Sequence, residues 1–139
     1  YLAEASALGN VLVVGVNSDA SVRRLKGSSR PVIVESDRAA MLAALACVRY
    51  VVVFDDDTPN LLLEAIRPDV LIKGGTYTPD PVVGHEIVAA YGGTVCVAGV
   101  VDGISTTNIL ASLARGESAS LVLAAGVPQT TPPNFRRAG

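Results

Sequence analysis

The sequence predicts an α/β fold of three layers, a parallel sheet covered by helices on both faces. Short β-branched apolar runs alternate with helix-period segments in the order α-β-α-β-α-β-α-β-α. The apolar runs are continuous rather than alternating, as in strands buried on both faces. The length of 139 residues, 50% of them hydrophobic and 17% charged, matches one domain and excludes disorder over most of the chain.

Tyr1 to Leu8 reads as a short helix with Leu2, Ala5 and Leu8 on one side, ended by Gly9-Asn10. Val11 to Val16 (VLVVGV) is the first strand, and Ala20 to Leu25 a short helix after Asn17-Ser18-Asp19. Lys26 to Pro31 is a polar, glycine-bearing loop. Ser36 is expected to cap a helix from Asp37 to about Cys47, with Met41, Leu42 and Leu45 facing inward. Tyr50 to Phe54 (YVVVF) is the second strand. Thr58-Pro59 opens the next helix, Asn60 to Ile66, because Thr caps and Pro fits the first helical position. Arg67-Pro68 stops it. Val70 to Ile72 is the third strand and runs into Lys73-Gly74-Gly75. Val83 to Tyr91 is a helix ended by Gly92-Gly93, Thr94 to Val100 the fourth strand, and Ser105 to Ala114 the last helix. Residues 1–116 form the α/β domain. Residues 117–139 form a tail of small residues followed by a proline-rich stretch without period.

Composition narrows the function. A net charge of −2 gives no support to nucleic-acid or membrane-surface binding, and no apolar stretch approaches the roughly 18 residues of a membrane span. The two cysteines, Cys47 and Cys96, lie far apart in Ala/Val-rich contexts, which argues against a disulfide framework and fits a reducing cytosol. The single histidine, His85, excludes His-rich metal sites and reads as a surface or packing residue. The chain opens on Tyr1, without Met, directly in a helical pattern, so a fragment of a longer protein is expected.

In a parallel sheet of this kind, ligands bind beyond the carboxyl ends of the strands. Asn17, Ser18 and Asp19 follow the first strand and suit a ribose or a phosphate-bound metal; capping of the next helix by Ser18 or Asp19 is the plainer alternative. Lys26 and Arg30, with Arg23 and Arg24 nearby, can neutralise phosphate or form a solvated basic face. Lys73-Gly74-Gly75 lets backbone approach an anion, or is a tight turn. Asp55-Asp56-Asp57 is read as an acidic loop capping the helix that follows it rather than a Mg²⁺ site. Gly103-Ile104-Ser105-Thr106-Thr107 is the most informative segment. Hydroxyls and free N–H groups at a helix start surround one point, where the helix dipole adds about half a positive charge. The usual dinucleotide and triphosphate glycine fingerprints do not occur.

The segments GVNSD (15–19), SVRRLKG (21–27), RP (30–31), DRAAMLAAL (37–45), RPDVLIKGG (67–75) and GISTT (103–107) occur in an order and spacing that resembles the cytidylyltransferase-like nucleotidyltransferases. Within them, the likeness is closest to D-glycero-β-D-manno-heptose 1-phosphate adenylyltransferases and covers about Tyr1 to Ala114. The resemblance implies a Rossmann-like fold of strand order 3-2-1-4-5. It also implies nucleotidyl transfer, in which a sugar-phosphate oxygen attacks the α-phosphorus of ATP and pyrophosphate leaves. Mg²⁺ accompanies the triphosphate. Lys26 and Thr106 would be catalytic. Asn17, Asp19, Arg30, Arg38, Lys73, Gly74, Gly75, Ser105 and Thr107 would bind nucleotide or phosphate. CTP with glycerol 3-phosphate, or a non-catalytic nucleotide-binding module, are the alternatives.

Two departures from the family pattern stand out. Thr76 follows the paired glycines where relatives often carry Asp. The family's first strand, which is central in the sheet, and its HxGH segment have no counterpart here, and the relatives' histidines contact the triphosphate. The expectation is a chain that is inactive and at best marginally folded by itself. Partners are ATP and a sugar phosphate, with no nucleic acid and no membrane. Exposed strand edges favour homo-oligomers, and the location is cytoplasmic.

Overall fold

The computed structural model describes residues 1–74, 82–98 and 115. All the elements below belong to the first of two units, Tyr1–Asp102. In chain order they are α1 (Leu2–Ser6), β1 (Val13–Asn17), α2 (Asp19–Lys26), α3 (Glu35–Ala43), β2 (Tyr50–Phe54), α4 (Asn60–Ile66), β3 (Val70–Gly74), α5 (His85–Ala90) and β4 (Thr94–Ala98). The predicted succession of helices and strands holds through the described residues, with two helices, α2 and α3, between β1 and β2. The expected last helix, the boundary at 116/117 and the tail lie outside the described residues.

The strands pair in two parallel ladders. β1 lies beside β2, with Val13 opposite Tyr50 and Asn17 opposite Phe54. β3 lies beside β4, with Val70 opposite Thr94 and Gly74 opposite Ala98. These are the neighbours that the expected sheet order requires. Among the described residues no ladder joins β1 to β3, so each presents one unpaired edge. The registers bring the carboxyl ends of each pair level. The ladder of the first pair continues one step further, where the Ser18 N–H donates to the Phe54 carbonyl at 2.7 Å.

α3 packs on β1 and β2, and α5 on β3 and β4. α4 touches both halves. Its Leu62 lies 3.1 Å from where a β-carbon on Gly15 of β1 would stand, and its Leu63 fills the space beside Gly84 at the start of α5. The described core is small: Ala5, Val16, Leu63 and Val88 are its buried apolar side chains.

Several local expectations are corrected. α3 begins at Glu35 with Val34 as its N-cap and no side-chain cap, so Ser36 lies inside the helix; Asp37 and Arg38 instead donate their backbone N–H groups to the Val34 carbonyl. α3 also ends at Ala43, short of Cys47. Pro59 rather than Thr58 is the N-cap of α4, again without a side-chain cap. Met41 and Leu45 are 54% and 43% exposed rather than inward-facing. The hydrophobic period of α3 is real, but that side of the helix overhangs the unpaired edge of β1, where no described element covers it. Tyr50 and Val53 of β2 are exposed as well.

Gly84 needs to be glycine twice over. Its φ of 88° is one that L side chains rarely adopt, and a β-carbon there would overlap Leu63 Cδ1. Gly84→Ala is expected to destabilise the fold by about 2 kcal/mol, through backbone strain and displacement of a buried leucine. A urea-unfolding midpoint lowered at unchanged slope would record it.

Candidate functional site

The polar residues at the carboxyl ends of β1 and β2 form one network. Ser18 caps α2, its Oγ accepting the Ser21 N–H at 3.0 Å. Capping by Ser18, the plainer alternative for this segment, is therefore real. The same Oγ donates to the Asp55 carboxylate. Ser21, with no solvent exposure, donates its hydroxyl to the Asp56 carbonyl at 3.0 Å. Asn17 Nδ2 donates to Ser21 Oγ at 3.0 Å and reaches the Asp56 carbonyl at 3.4 Å. One turn further along α2, Arg24 Nε donates to Asp57 Oδ1 at 2.8 Å and its Nη2 to the Asp55 carbonyl. Ser21 and Arg24 lie on one face of α2, and that face, together with Asn17 at the end of β1, carries the 55–57 loop.

This changes the reading of the acidic triplet, which is bound sideways to α2 instead of capping α4. Arg24 is correspondingly not a free phosphate ligand. Its guanidinium is pushed up from its ordinary range, first by the hydrogen bond to Asp57 and then by the charges of Asp57, Asp55 and Asp56; desolvation opposes the shift.

A second cluster ties the segment before α3 to the start of α2. Arg38 Nη2 pairs with Asp19 Oδ1 at 2.7 Å, both side chains mostly buried, while its Nε donates to the Ile33 carbonyl at 3.0 Å. The Asp19 N–H donates to Glu35 Oε2. Glu35 carried no signal in the sequence, because its partner is a backbone group 16 residues away in chain. Asn17 and Arg38 share an open groove of about 500 Å³ whose walls are Gly15, Val16, Met41 and Leu42.

The remaining expected site residues divide in two. Lys26, the last residue of α2, is exposed, and Arg30 is half-buried in the following loop. Lys73 and Gly74 end β3, both exposed. Gly74 meets Tyr1, whose ring carbon Cζ stands 2.7 Å from where a β-carbon would be. The Tyr1 phenol also hydrogen-bonds the Gly74 backbone, so this glycine accommodates an aromatic ring from α1's start. Burial raises the Tyr1 phenol above its ordinary 10.0, and the Gly74 hydrogen bond partly offsets the rise. Gly75, Ser105, Thr106 and Thr107 lie outside the described residues.

Comparison with known proteins settles the family. Residues 1–127 match the cytidylyltransferase-like family. The chain belongs to that family. It is 60% identical over 110 residues to a protein of Syntrophotalea carbinolica named bifunctional protein HldE, covering 79% of this chain and 22% of that protein. Proteins of the same name from Geotalea uraniireducens and Geobacter metallireducens are 58% and 57% identical over 116 and 115 residues, covering 84% and 83% of this chain and 24% of each. The chain spans less than a quarter of the length of these relatives. Membership makes it a nucleotidyltransferase-family chain with a Rossmann-like α/β fold. Among the described residues no helix is long and apolar enough to cross a membrane.

Two outcomes follow from this geometry. Arg38→Ala leaves the Asp19 carboxylate without its guanidinium and is expected to cost about 1–2 kcal/mol of stability. Asp19→Asn combined with Arg38→Ala should cost less than the two single changes summed, in a double-mutant cycle of urea unfolding. Tyr1 is neutral in the fold to higher pH than in the unfolded chain, so its contribution is present below pH 10 and is lost as pH rises through the raised value. Tyr1→Phe should remove a phenolate absorbance component that develops above pH 10.0.

Proposed function

We propose that the chain is the nucleotidyl-transfer part of an enzyme that moves AMP from ATP to heptose 1-phosphate. The observation that carries this is 54–60% identity, over about four-fifths of the chain, to proteins named bifunctional protein HldE. The six ordered motifs support the same reading.

In the proposed reaction an oxygen of the sugar phosphate attacks the α-phosphorus of ATP. A new P–O bond forms as the bond from the α-phosphorus to the bridging oxygen breaks, and pyrophosphate departs with that bonding pair. No side chain forms a covalent intermediate. Catalysis is positioning together with neutralisation of charge on the phosphates. Lys26 and Arg30 supply positive charge to the triphosphate. Ser105, Thr106 and Thr107 offer hydroxyl and N–H donors to its β- and γ-phosphates. Asn17 and Asp19 lie beside the nucleotide, with Arg38 held by Asp19. Lys73, Gly74 and Gly75 line the base and sugar side.

Mg²⁺ belongs to the substrate in this scheme. Among the described residues no three His, Cys, Asp or Glu side chains come together as a cation site. Asp19 faces Arg38, and Asp55 faces Ser18 and Arg24. These residues do not fit a protein-held ion, so no step is routed through one.

The unpaired edges of β1 and β3 support a further part of the proposal. A strand preceding Tyr1, of the kind that carries HxGH in relatives, would complete the sheet between them, and the 139-residue chain by itself would not turn over. Free edges of this kind also make association of copies the expected behaviour. ATP as a substrate makes the cytoplasm the expected location.

The test is pyrophosphate release from ATP or CTP, each with heptose 1-phosphate or glycerol 3-phosphate. It is run on this chain and on one extended upstream through a GxFDxxHxGH-like segment. The expected result is release by the extended protein alone, fastest with ATP and heptose 1-phosphate. Preference for CTP and glycerol 3-phosphate would replace the substrates. Nucleotide binding without turnover in the extended protein would make it a binding module. In the active protein, Lys26→Ala and Arg30→Ala should each lower kcat/KM by about ten- to a hundredfold.

A further inference from the structure

Successive side chains of a strand leave on opposite faces, so Lys73 and Gly74, the last two residues of β3, look to opposite sides of the sheet. The Gly74 side holds Tyr1. Its ring carbons Cζ, Cε1 and Cε2 stand 2.7, 2.9 and 3.1 Å from where a Gly74 β-carbon would be, so the ring fills the place of the missing side chain. Lys73 leaves on the other side and is exposed. The phenol adds a hydrogen bond of definite sense. A bond that lowers a phenol's pKa is one donated to its oxygen, so the Gly74 N–H is the donor and Tyr1 Oη the acceptor.

This contact matters because β3 is held on one edge only. Gly74 pairs with Ala98 of β4, and among the described residues no ladder forms on the other edge. A strand end that closes on glycine keeps backbone freedom that one ladder does not remove. Tyr1 removes it, from the face opposite Lys73. Tyr1 is itself anchored, since its carbonyl accepts the Ala5 N–H at 2.9 Å and Ala5 is buried. A lysine carries its charge on a flexible stem, so the direction its backbone gives it decides where the ammonium can reach.

We propose that Tyr1 is a positioning residue, which seats the end of β3 and so aims Lys73 at the substrate. The bond to Tyr1 uses the Gly74 N–H, which leaves the Lys73 ammonium rather than this amide to meet an anion. The inference rests on the nucleotidyltransferase reading, in which Lys73 lines the base and sugar side. It deepens that reading with a residue to which the reading gives no role.

The experiment is a double-mutant cycle on the protein extended upstream through the HxGH-like segment. Pyrophosphate release from ATP with heptose 1-phosphate is measured for the unmodified protein, Tyr1→Leu, Tyr1→Phe, Lys73→Met and the two pairs. Tyr1→Leu should lower kcat/KM by about tenfold or more, and Tyr1→Phe, which keeps the ring and gives up one hydrogen bond, by about three- to tenfold. In the Lys73→Met background each change at Tyr1 should stay within about twofold, because the ammonium it aims is gone. A role in the fold alone would lower kcat/KM equally in both backgrounds. That equal loss, no loss in Tyr1→Leu, or no loss in Lys73→Met overturns the inference. Each leaves the enzyme reading standing, since that reading needs only turnover by the unmodified extended protein. Without that turnover both fall together. Where Lys73→Met leaves too little activity to compare, the same cycle is read on the Kd of Mg-ATP by calorimetry, with the same expected and overturning results. Should Tyr1→Leu fail to fold, Tyr1→Phe in the two backgrounds carries the decision.

Discussion

The hydrogen bonds between one face of α2 and the 55–57 loop hold the functional end of the first strand pair together. A parallel pair leaves its carboxyl ends as loose loops unless something fixes them. Here the ladder runs one residue past β1, through Ser18 to Phe54. Asn17, Ser18, Ser21 and Arg24 then take over in turn. The donors come from the end of β1 and from α2 with its cap, and the acceptors in the loop are the Asp55 and Asp56 carbonyls and the Asp55 and Asp57 carboxylates. Backbone carbonyls that would otherwise be left without donors are satisfied by side chains, which is the usual requirement for polar groups near a core.

The same bookkeeping sorts the basic residues. Arg24 and Arg38 are occupied, one by the acidic loop and the other by Asp19 and Ile33. Lys26 and Arg30 have no ion-pair partner among the described residues. A chain with a net charge of −2 thus neutralises some of its cations internally and leaves Lys26, at the end of α2, exposed.

Much of this was legible in the sequence. The β-branched runs located all four described strands, since burial in a parallel sheet demands continuous apolar character, and the parallel pairing followed from the helices between them. Helix ends were less legible. Ser36 stands two residues after the true N-cap of α3 and Thr58 one residue before that of α4, and the tertiary path of the chain chose Val34 and Pro59 instead. The inward face of α3 was visible as a period, but periodicity says which residues share a side and nothing about whether another element covers it. In the site, Asn17, Asp19 and Arg38 were legible as residues but not as partners, because Arg38 and Asp19 lie 19 positions apart. The α2 face was available in the spacing of Ser21 and Arg24. What hid it was the acidic triplet, which looked like the opening of α4.

The Tyr1–Gly74 contact ties the residue before α1 to the end of β3, 73 positions on in the chain. The aromatic ring sits in the volume where any other residue at 74 would carry its first side-chain carbon. Neither position can drift independently. A larger residue at 74 is tolerated only with a smaller one at position 1, and a non-aromatic residue at position 1 relaxes the demand for glycine. Across many relatives this interlock would surface as paired substitution, a record of spatial neighbourhood written in sequence variation.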